Sequence, residues 1–117
     1  MKIAIIYGGK SGEHEVSLAS ASSIVRTIDR EHTLYLIGIT KNGEWFLQPQ
    51  QLAESLRTDA AAVLTIECDE KARVAAVPGG GTEKGLTVNG APLPVDVVFP
   101  VLHGSFGEDG TIQGLFE

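Results

Sequence analysis

The sequence predicts an α/β fold: an open, mostly parallel sheet with flanking helices. Two apolar runs, residues 2–7 and 33–40, are separated by a glycine turn and an amphipathic helix, which is typical of a parallel strand–helix–strand unit with a right-handed crossover. A third apolar run, residues 95–102, precedes a second glycine-rich loop. Between them, Asn-Gly pairs, a triple glycine and prolines separate short runs, so residues 41–95 predict a β-hairpin excursion outside the main sheet.

The first third of the chain justifies the parallel unit. "KIAIIY" at residues 2–7 is almost wholly apolar, the pattern of a strand buried on both faces. Over residues 13–29, apolar side chains recur at helical spacing and Ser11 is placed to cap the first turn. "TLYLIGIT" at residues 33–40 then predicts the second strand.

The rest of the chain is less regular. Asn42-Gly43 predicts a tight hairpin turn, and residues 50–57 predict a short helix. Residues 79–84 are glycine-rich and are expected to be mobile. A helix is predicted from Thr111, with Ile112, Leu115 and Phe116 on one face; because no stop signal precedes residue 117, the chain is expected to be the first piece of a longer protein.

Composition narrows the function classes. With 117 residues, 43% of them hydrophobic, the chain is expected to form one domain, residues 1–117, around one core. A net charge of -6 argues against nucleic acid or an anionic membrane as partner. Cys68 is the single cysteine, and neither a signal peptide nor a membrane-spanning run is present, so a cytoplasmic location is predicted.

The stretch "YGGKSGEHEVS" at residues 7–17 resembles a phosphate loop only superficially. A Walker-type loop needs glycine where Ala4 stands, and the dinucleotide fingerprint needs glycine in place of Lys10 and Glu13. Glu13 and Glu15 also place negative charge at the start of the helix, where it would repel an anion and attract a cation. The loop therefore predicts a site for an ammonium group.

Two loops are expected to converge on one crevice. In an open parallel sheet, ligands bind beyond the carboxyl ends of the strands, where residues 8–15 and 103–110 both begin. If the first and last strands are neighbours, Glu13 and His103 face the same space. The alternatives left open are that Glu13, and still more Glu15, only neutralises the helix N-terminus, worth about 0.3–1 kcal/mol, and that His103 only bonds loop backbone.

Other polar candidates are given structural or surface roles. Glu108 and Asp109 are predicted to tie down their loop and cap the next helix, and with His103 they lack zinc-ligand spacing, so no metal site is predicted. Trp45 is predicted to be a packing residue. Four further side chains are predicted to lie at the surface or to have no part in a site: Lys10, His14, His32 and Cys68.

Taken together, "GGKSGEHEVSLASA" at residues 8–21 and "HGSFGEDGTIQG" at residues 103–114 resemble the amino-terminal part of D-alanyl-D-alanine ligase. The second motif is long and specific, whereas residues 41–95 carry little of the resemblance. The resemblance implies a Rossmann-like domain that precedes the ATP-grasp domains of such enzymes.

The resemblance also implies roles for single residues. Glu13 matches the residue that holds the ammonium group of the first D-alanine, and His103 matches the histidine that contacts the same substrate near its reacting carboxylate; both are therefore expected to serve binding and catalysis. Val16 matches an apolar residue lining that pocket, and Ser17 lies beside it in the first turn of the helix; both are expected to bind the substrate. No role carries over to Lys10.

The implied reaction serves bacterial peptidoglycan synthesis. ATP phosphorylates the first D-alanine to an acyl phosphate, which the amine of the second D-alanine attacks. ATP and a magnesium or manganese ion are expected on central and carboxyl-terminal domains absent from this chain, which is expected to bind no cofactor and to be inactive alone. The full-length enzyme is expected to be a homodimer.

Two other functions stay open on the sequence. One is a related ligase that joins D-alanine to D-lactate or D-serine. The other is a non-catalytic small-molecule binding module of flavodoxin-like or Rossmann-like build.

Overall fold

A computed structural model describes residues 1–9, 14–29, 31–76 and 85–101. Strands, helices and one 3-10 turn follow each other along the chain. Their bounds are β1 (Lys2–Gly8), α1 (His14–Thr27), β2 (Thr33–Ile39), β3 (Trp45–Leu47), α2 (Gln51–Thr58), the 3-10 turn (Glu70–Ala72), β4 (Val74–Ala76), β5 (Leu86–Val88), β6 (Ala91–Pro92) and β7 (Val97–Val101).

The main sheet has the strand order β3-β2-β1-β7. β1 is central and pairs in parallel with both β2 and β7, and β3 adds an antiparallel edge. In this register Tyr7 lies opposite Gly38 on one side and Val101 on the other. The predicted α/β class with a mostly parallel sheet is confirmed, and so is the adjacency of the first and last strands.

One face of this sheet packs against α1 and α2. Because side chains alternate along a strand, Ile5 and Tyr7 of β1 point to this face together with Leu34 and Leu36 of β2. Each large side chain buried here stabilises the fold by about 1.5–3 kcal/mol before entropy losses. The helices complete the cluster with Leu18, Ala21, Val25, Ala53 and Leu56.

The opposite face is covered by the excursion. β4, β5 and β6 form a second, antiparallel sheet. Val74, Leu86 and Val95 pack there against the other side of the main sheet. The residues they contact on β1 and β2 are Ala4, Ile6, Ile37 and Ile39. β1 is thus buried on both faces, which explains its almost continuous apolar sequence.

An irregular stretch, residues 62–67, crosses the α1 face of the sheet and is called the crossing segment below. Its Leu64 N–H donates to Ser22 Oγ on α1 (2.8 Å), and Tyr7 Oη donates to the Thr65 carbonyl (2.7 Å). At its far end, the buried Gln48 side chain binds Glu67 twice: Nε2 donates to the carbonyl (3.1 Å), and Oε1 accepts from the N–H (2.7 Å). The segment therefore links α1, β1 and the end of β3.

Several smaller predictions can be compared with the structure. The Asn42-Gly43 turn joins antiparallel β2 and β3, with Gly43 at a φ of 89°. Trp45 is half-buried and packs on the excursion side, as predicted, and Cys68 is exposed. In the described ranges, no helix is long and apolar enough to span a membrane. The predictions of a cap at Ser11, of mobility at residues 79–84 and of a helix from Thr111 concern residues outside those that the structure describes.

Candidate functional site

The carboxyl ends of β1, β2 and β7 meet at one edge of the main sheet. The last described β1–β7 pair is Tyr7 with Val101, and the chain leaves β1 immediately afterwards at Gly8. The loops that follow these two strands consequently start side by side. Glu13 and His103, the predicted site pair, lie outside the described residues; Glu13 directly precedes α1, and His103 is the second residue after Val101.

The turn that leaves β1 depends on glycine. Gly8 and Gly9 have φ angles of 98° and 104°, a backbone region that residues other than glycine rarely adopt. A Cβ on Gly8 would lie 2.2 Å from the Ile39 carbonyl oxygen and 2.9 Å from Ile66 Cδ1. The Gly9 N–H donates to the same Ile39 carbonyl at 2.9 Å. The chain thus turns tightly across the end of β2, with no room for a side chain at residue 8.

Ser17, in the first turns of α1, bonds to both β1 and β7. Its side chain is fully buried. The Gly8 N–H donates to Ser17 Oγ at 2.8 Å, and the hydroxyl in turn donates to the Val101 carbonyl. The hydroxyl therefore connects the base of the glycine turn with the end of β7.

The prediction that His14 lies at the surface is wrong. The side chain is only 8% exposed, and its Nδ1 lies 2.9 Å from the Gly9 carbonyl oxygen. Because a carbonyl oxygen can only accept, Nδ1 must carry the hydrogen. Side chains in a helix lean toward its N-terminus, which brings His14 back over the glycine turn. This hydrogen bond joins the start of α1 to the glycine turn.

Two other side chains of the first turns point to solvent. Val16 is 51% exposed, although it belongs to α1, a helix that packs against the core. Glu15 is also exposed and stands in the first turn, where a carboxylate suits the helix dipole. His32 lies half-exposed near the amino terminus, with Nδ1 3.2 Å from the Met1 nitrogen, remote in the fold from these groups.

The glycine turn does not suit a nucleotide phosphate. A phosphate loop aims free backbone N–H groups at its ligand. Here the Gly8 and Gly9 N–H groups are already bonded to Ser17 and Ile39. Within the described ranges, no three His, Cys, Asp or Glu side chains lie close enough together to hold a metal ion.

Tyr7 lies beneath the turn and acts as a neutral hydrogen-bond donor. Burial raises the pKa of the Tyr7 phenol far above its ordinary value near 10, and the Glu67 carboxylate raises it further. The hydroxyl donates to the Thr65 carbonyl. The phenol therefore stays protonated near neutral pH and anchors the crossing segment through its bond to Thr65.

Comparison with known proteins identifies the family. Residues 2–117 match the family model described as the D-ala D-ala ligase N-terminus. This chain belongs to the D-ala D-ala ligase family. The match covers both glycine-containing loops as well as the excursion between them, so the resemblance seen in the two motifs extends over the whole chain.

Curated members of the D-ala D-ala ligase family align along the full length of the chain. The D-alanine–D-alanine ligase of Treponema denticola is 62% identical over 117 residues, which are 100% of this chain and 32% of that protein. The enzyme of Treponema pallidum is 53% identical over 115 residues, 98% of this chain and 29% of that protein. The chain thus spans about a third of the length of these ligases.

Solved structures of D-Ala ligases share the fold. A D-Ala:D-Ser ligase from Enterococcus faecalis superposes with a TM-score of 0.74 at 37% identity, covering 98% of this chain and 32% of that one. The D-alanine-D-alanine ligase from Coxiella burnetii gives a TM-score of 0.73 at 29% identity with the same coverage. Both superpositions include the mostly parallel sheet and the two helices described above.

In this D-ala D-ala ligase domain, sequence reasoning missed the roles of two side chains that bond to the backbone where the loops begin. It predicted that Ser17 binds substrate and that His14 lies at the surface, but not that both are buried and bonded to backbone of the glycine turn. One signal was available: the serine at the fourth position of α1 is on the same face as Ala21 and Val25, which is the core side of an amphipathic helix. A buried hydroxyl requires partners, and the nearest backbone groups are the strand ends.

Proposed function

We propose that this chain is the substrate-binding, amino-terminal domain of an ATP-dependent ligase that joins two D-alanines for peptidoglycan synthesis. The observation that carries the proposal is the parallel pairing of β1 with β7, which starts both candidate loops from one edge of the sheet. Family membership and the names of the relatives support the same reaction. Residues 1–117 would form one domain of the complete protein.

In this proposal, Glu13 binds the ammonium group of the first D-alanine. Glu13 directly precedes α1 in the sequence, and a helix N-terminus would otherwise favour an anion through its dipole and free N–H groups. A charge-assisted hydrogen bond of this kind contributes about 1.5–3 kcal/mol. Fixing the amine also fixes the direction of the substrate carboxylate, so the chief contribution of this domain is positioning.

The other predicted residues complete the pocket. His103 would contact the substrate near its carboxylate, from the loop that follows β7. The exposed side chain of Val16 is available to line the pocket beside the D-alanine methyl group. Ser17 is proposed to act on the pocket through the backbone, because its hydroxyl already bonds Gly8 and Val101.

The proposal assigns ATP and its magnesium or manganese ion to parts of the complete protein outside these residues, as the family resemblance implies. The Gly8 and Gly9 N–H groups, which are already bonded to Ser17 and Ile39, support this assignment. The same proposal includes a cytoplasmic location and a homodimeric complete enzyme, with no nucleic acid or membrane partner.

The reaction is tested with the complete protein, D-alanine and ATP, by measuring dipeptide and released phosphate. D-serine and D-lactate are offered as second substrates in parallel, since one of the superposed structures is a D-Ala:D-Ser ligase. Formation of D-alanyl-D-alanine supports the proposal. Failure to join D-alanine to any of the three second substrates would favour the non-catalytic binding module.

The site is tested with Glu13→Gln, matched by Glu15→Gln. Both variants remove one carboxylate near the start of α1, and only Glu13 is proposed to touch substrate. We expect Glu13→Gln to raise the KM for the first D-alanine roughly 10- to 100-fold with little change in the KM for ATP, because one charge-assisted bond is lost. Equal effects of the two variants would show that the helix dipole, rather than an ammonium site, is the role of these carboxylates.

A further inference from the structure

We propose that Ser17 is a positioning residue that sets the separation of the two loops of the substrate site. The inference rests on the proposed function, because it assigns the loops after β1 and β7 to one D-alanine pocket. It is carried by a single fully buried hydroxyl that accepts from the Gly8 N–H at 2.8 Å and donates to the Val101 carbonyl.

The location of this hydroxyl within the sheet explains what it does. The β1–β7 ladder ends with the pair Tyr7–Val101. Gly8 follows Tyr7 directly, so its N–H and the Val101 carbonyl lie where the two strands end. Ser17 Oγ bonds to both of these backbone groups. The hydroxyl therefore forms a bridge between the ends of β1 and β7 where their loops begin, and gives both buried backbone groups a partner.

The groups joined by this bridge are themselves held on the other side. Gly8 pairs with Ile39 in the β1–β2 ladder, and the Gly9 N–H donates to the Ile39 carbonyl at 2.9 Å. The Gly9 carbonyl is fixed by His14, which belongs to the same helix as Ser17. With β1 and α1 fixed in this way, the hydroxyl of Ser17 locates the end of β7 relative to them.

Ser22 provides a matched comparison on the same helix. It is also buried, and its hydroxyl likewise donates once, to the Leu18 carbonyl at 2.7 Å, and accepts once, from the Leu64 N–H at 2.8 Å. It connects α1 to the crossing segment and has no bond to the strand ends. A general loss of helix packing should affect both serines alike, whereas loop positioning should depend on Ser17.

The experiment compares Ser17→Ala with Ser22→Ala in the complete protein. We expect both variants to melt a few degrees below the unmodified protein, since each loses a buried hydroxyl with two bonds. Only Ser17→Ala should raise the KM for the first D-alanine, by about 10-fold, the equivalent of one lost hydrogen bond, with the KM for ATP changed less than about two-fold. The inference would be overturned if both variants raised the KM for the first D-alanine equally, or if Ser17→Ala did not raise it.

A second measurement keeps the two proposals separate. Hydrogen exchange at the Gly8 amide reports the bridge without any activity, and we expect it to be at least about ten-fold faster in Ser17→Ala than in Ser22→Ala. If Ser17→Ala does not fold, Ser17→Cys takes its place, with the same direction expected. Equal exchange in the two variants contradicts the bridge, whereas failure of the unmodified protein to join D-alanine contradicts only the proposed function.

Discussion

At the scale of single residues, the glycine turn is held by backbone groups that each have a defined partner. The Gly8 N–H donates to Ser17 Oγ. The Gly9 N–H donates to the Ile39 carbonyl, and the Gly9 carbonyl accepts from His14 Nδ1. Such a turn fixes the direction in which the chain leaves β1, because movement would break several buried bonds together. A rigid base of this kind is what a positioning site requires.

The conformation of Gly8 yields a stability prediction, with Gly43 as its control. Both residues have positive φ angles, but a Cβ would lie 2.2 Å from a backbone oxygen at Gly8 and would meet nothing within 4 Å at Gly43. We expect Gly43→Ala to cost about 1–2 kcal/mol and Gly8→Ala more than about 3 kcal/mol. Thermal unfolding of the complete protein compares them. If Gly8→Ala lowered the melting temperature no more than Gly43→Ala, the glycine turn would be able to rearrange and accommodate the added Cβ.

Residue-scale features also show what the sequence could and could not predict. The charge of Glu13 and Glu15 and the mismatch to the nucleotide-binding motifs could be established from the sequence, because they depend on residue type and spacing alone. The burial of His14 was not, since it depends on where the Gly9 carbonyl lies after the chain has turned. A histidine between two glutamates in a polar stretch gives no local signal of that contact.

At the scale of elements, the crossing segment is joined to helices and strands by hydrogen bonds from side chains. Gln48 is buried and bonds Glu67 twice, and Arg26 of α1 donates to carbonyls at Leu56 and Ala62 on either side of the loop after α2. These contacts hold an irregular stretch against the sheet in place of backbone pairing. The segment in turn packs Ile66 under Gly8, so it supports the base of the site.

Tyr7 gives the crossing segment a predictable pH dependence. The folded protein raises the pKa of this phenol, so above about pH 10 the unfolded chain ionises Tyr7 while the folded chain keeps it neutral. The contribution of Tyr7 is thus complete below pH 10 and declines above it, by up to about 1.4 kcal/mol per pH unit. We expect Tyr7→Phe to lose about 1 kcal/mol at pH 7, from the bond to Thr65, and to approach the unmodified protein as pH rises.

Urea denaturation of both proteins between pH 7 and 11.5 checks this behaviour. The difference in unfolding free energy should shrink, or reverse, above pH 10. A difference that stays constant across this range would show that the phenol ionises equally in both states.

Element-scale prediction succeeded where periodicity is strong. The apolar runs of β1, β2 and β7 and the helical spacing of α1 and α2 appear in the structure within a few residues of the expected bounds. The crossing segment was not predicted, because its position rests on contacts between residues distant in sequence, such as Gln48 with Glu67. No local propensity distinguishes such a stretch from an ordinary loop.

At the scale of the whole molecule, two different layers cover the central sheet. α1, α2 and the crossing segment lie on one face, and the small sheet of β4, β5 and β6 lies on the other, within the part of the chain that the structure describes. The sequence indicated an excursion but not that it would pack on the sheet, since the few apolar residues involved, such as Val74 and Leu86, are far apart in the chain. This burial leaves the carboxyl edge of the strands as the place where loops can receive a ligand.

The most direct test of the central claim is a crystal structure of the complete protein with D-alanine bound at its first site. We predict that the D-alanine nitrogen lies about 2.7–2.9 Å from a carboxylate oxygen of Glu13, the distance of a charge-assisted bond, with His103 on the same side of the sheet near the substrate carboxylate. An amine held by other groups, or Glu13 and His103 at opposite ends of the sheet, would contradict the account.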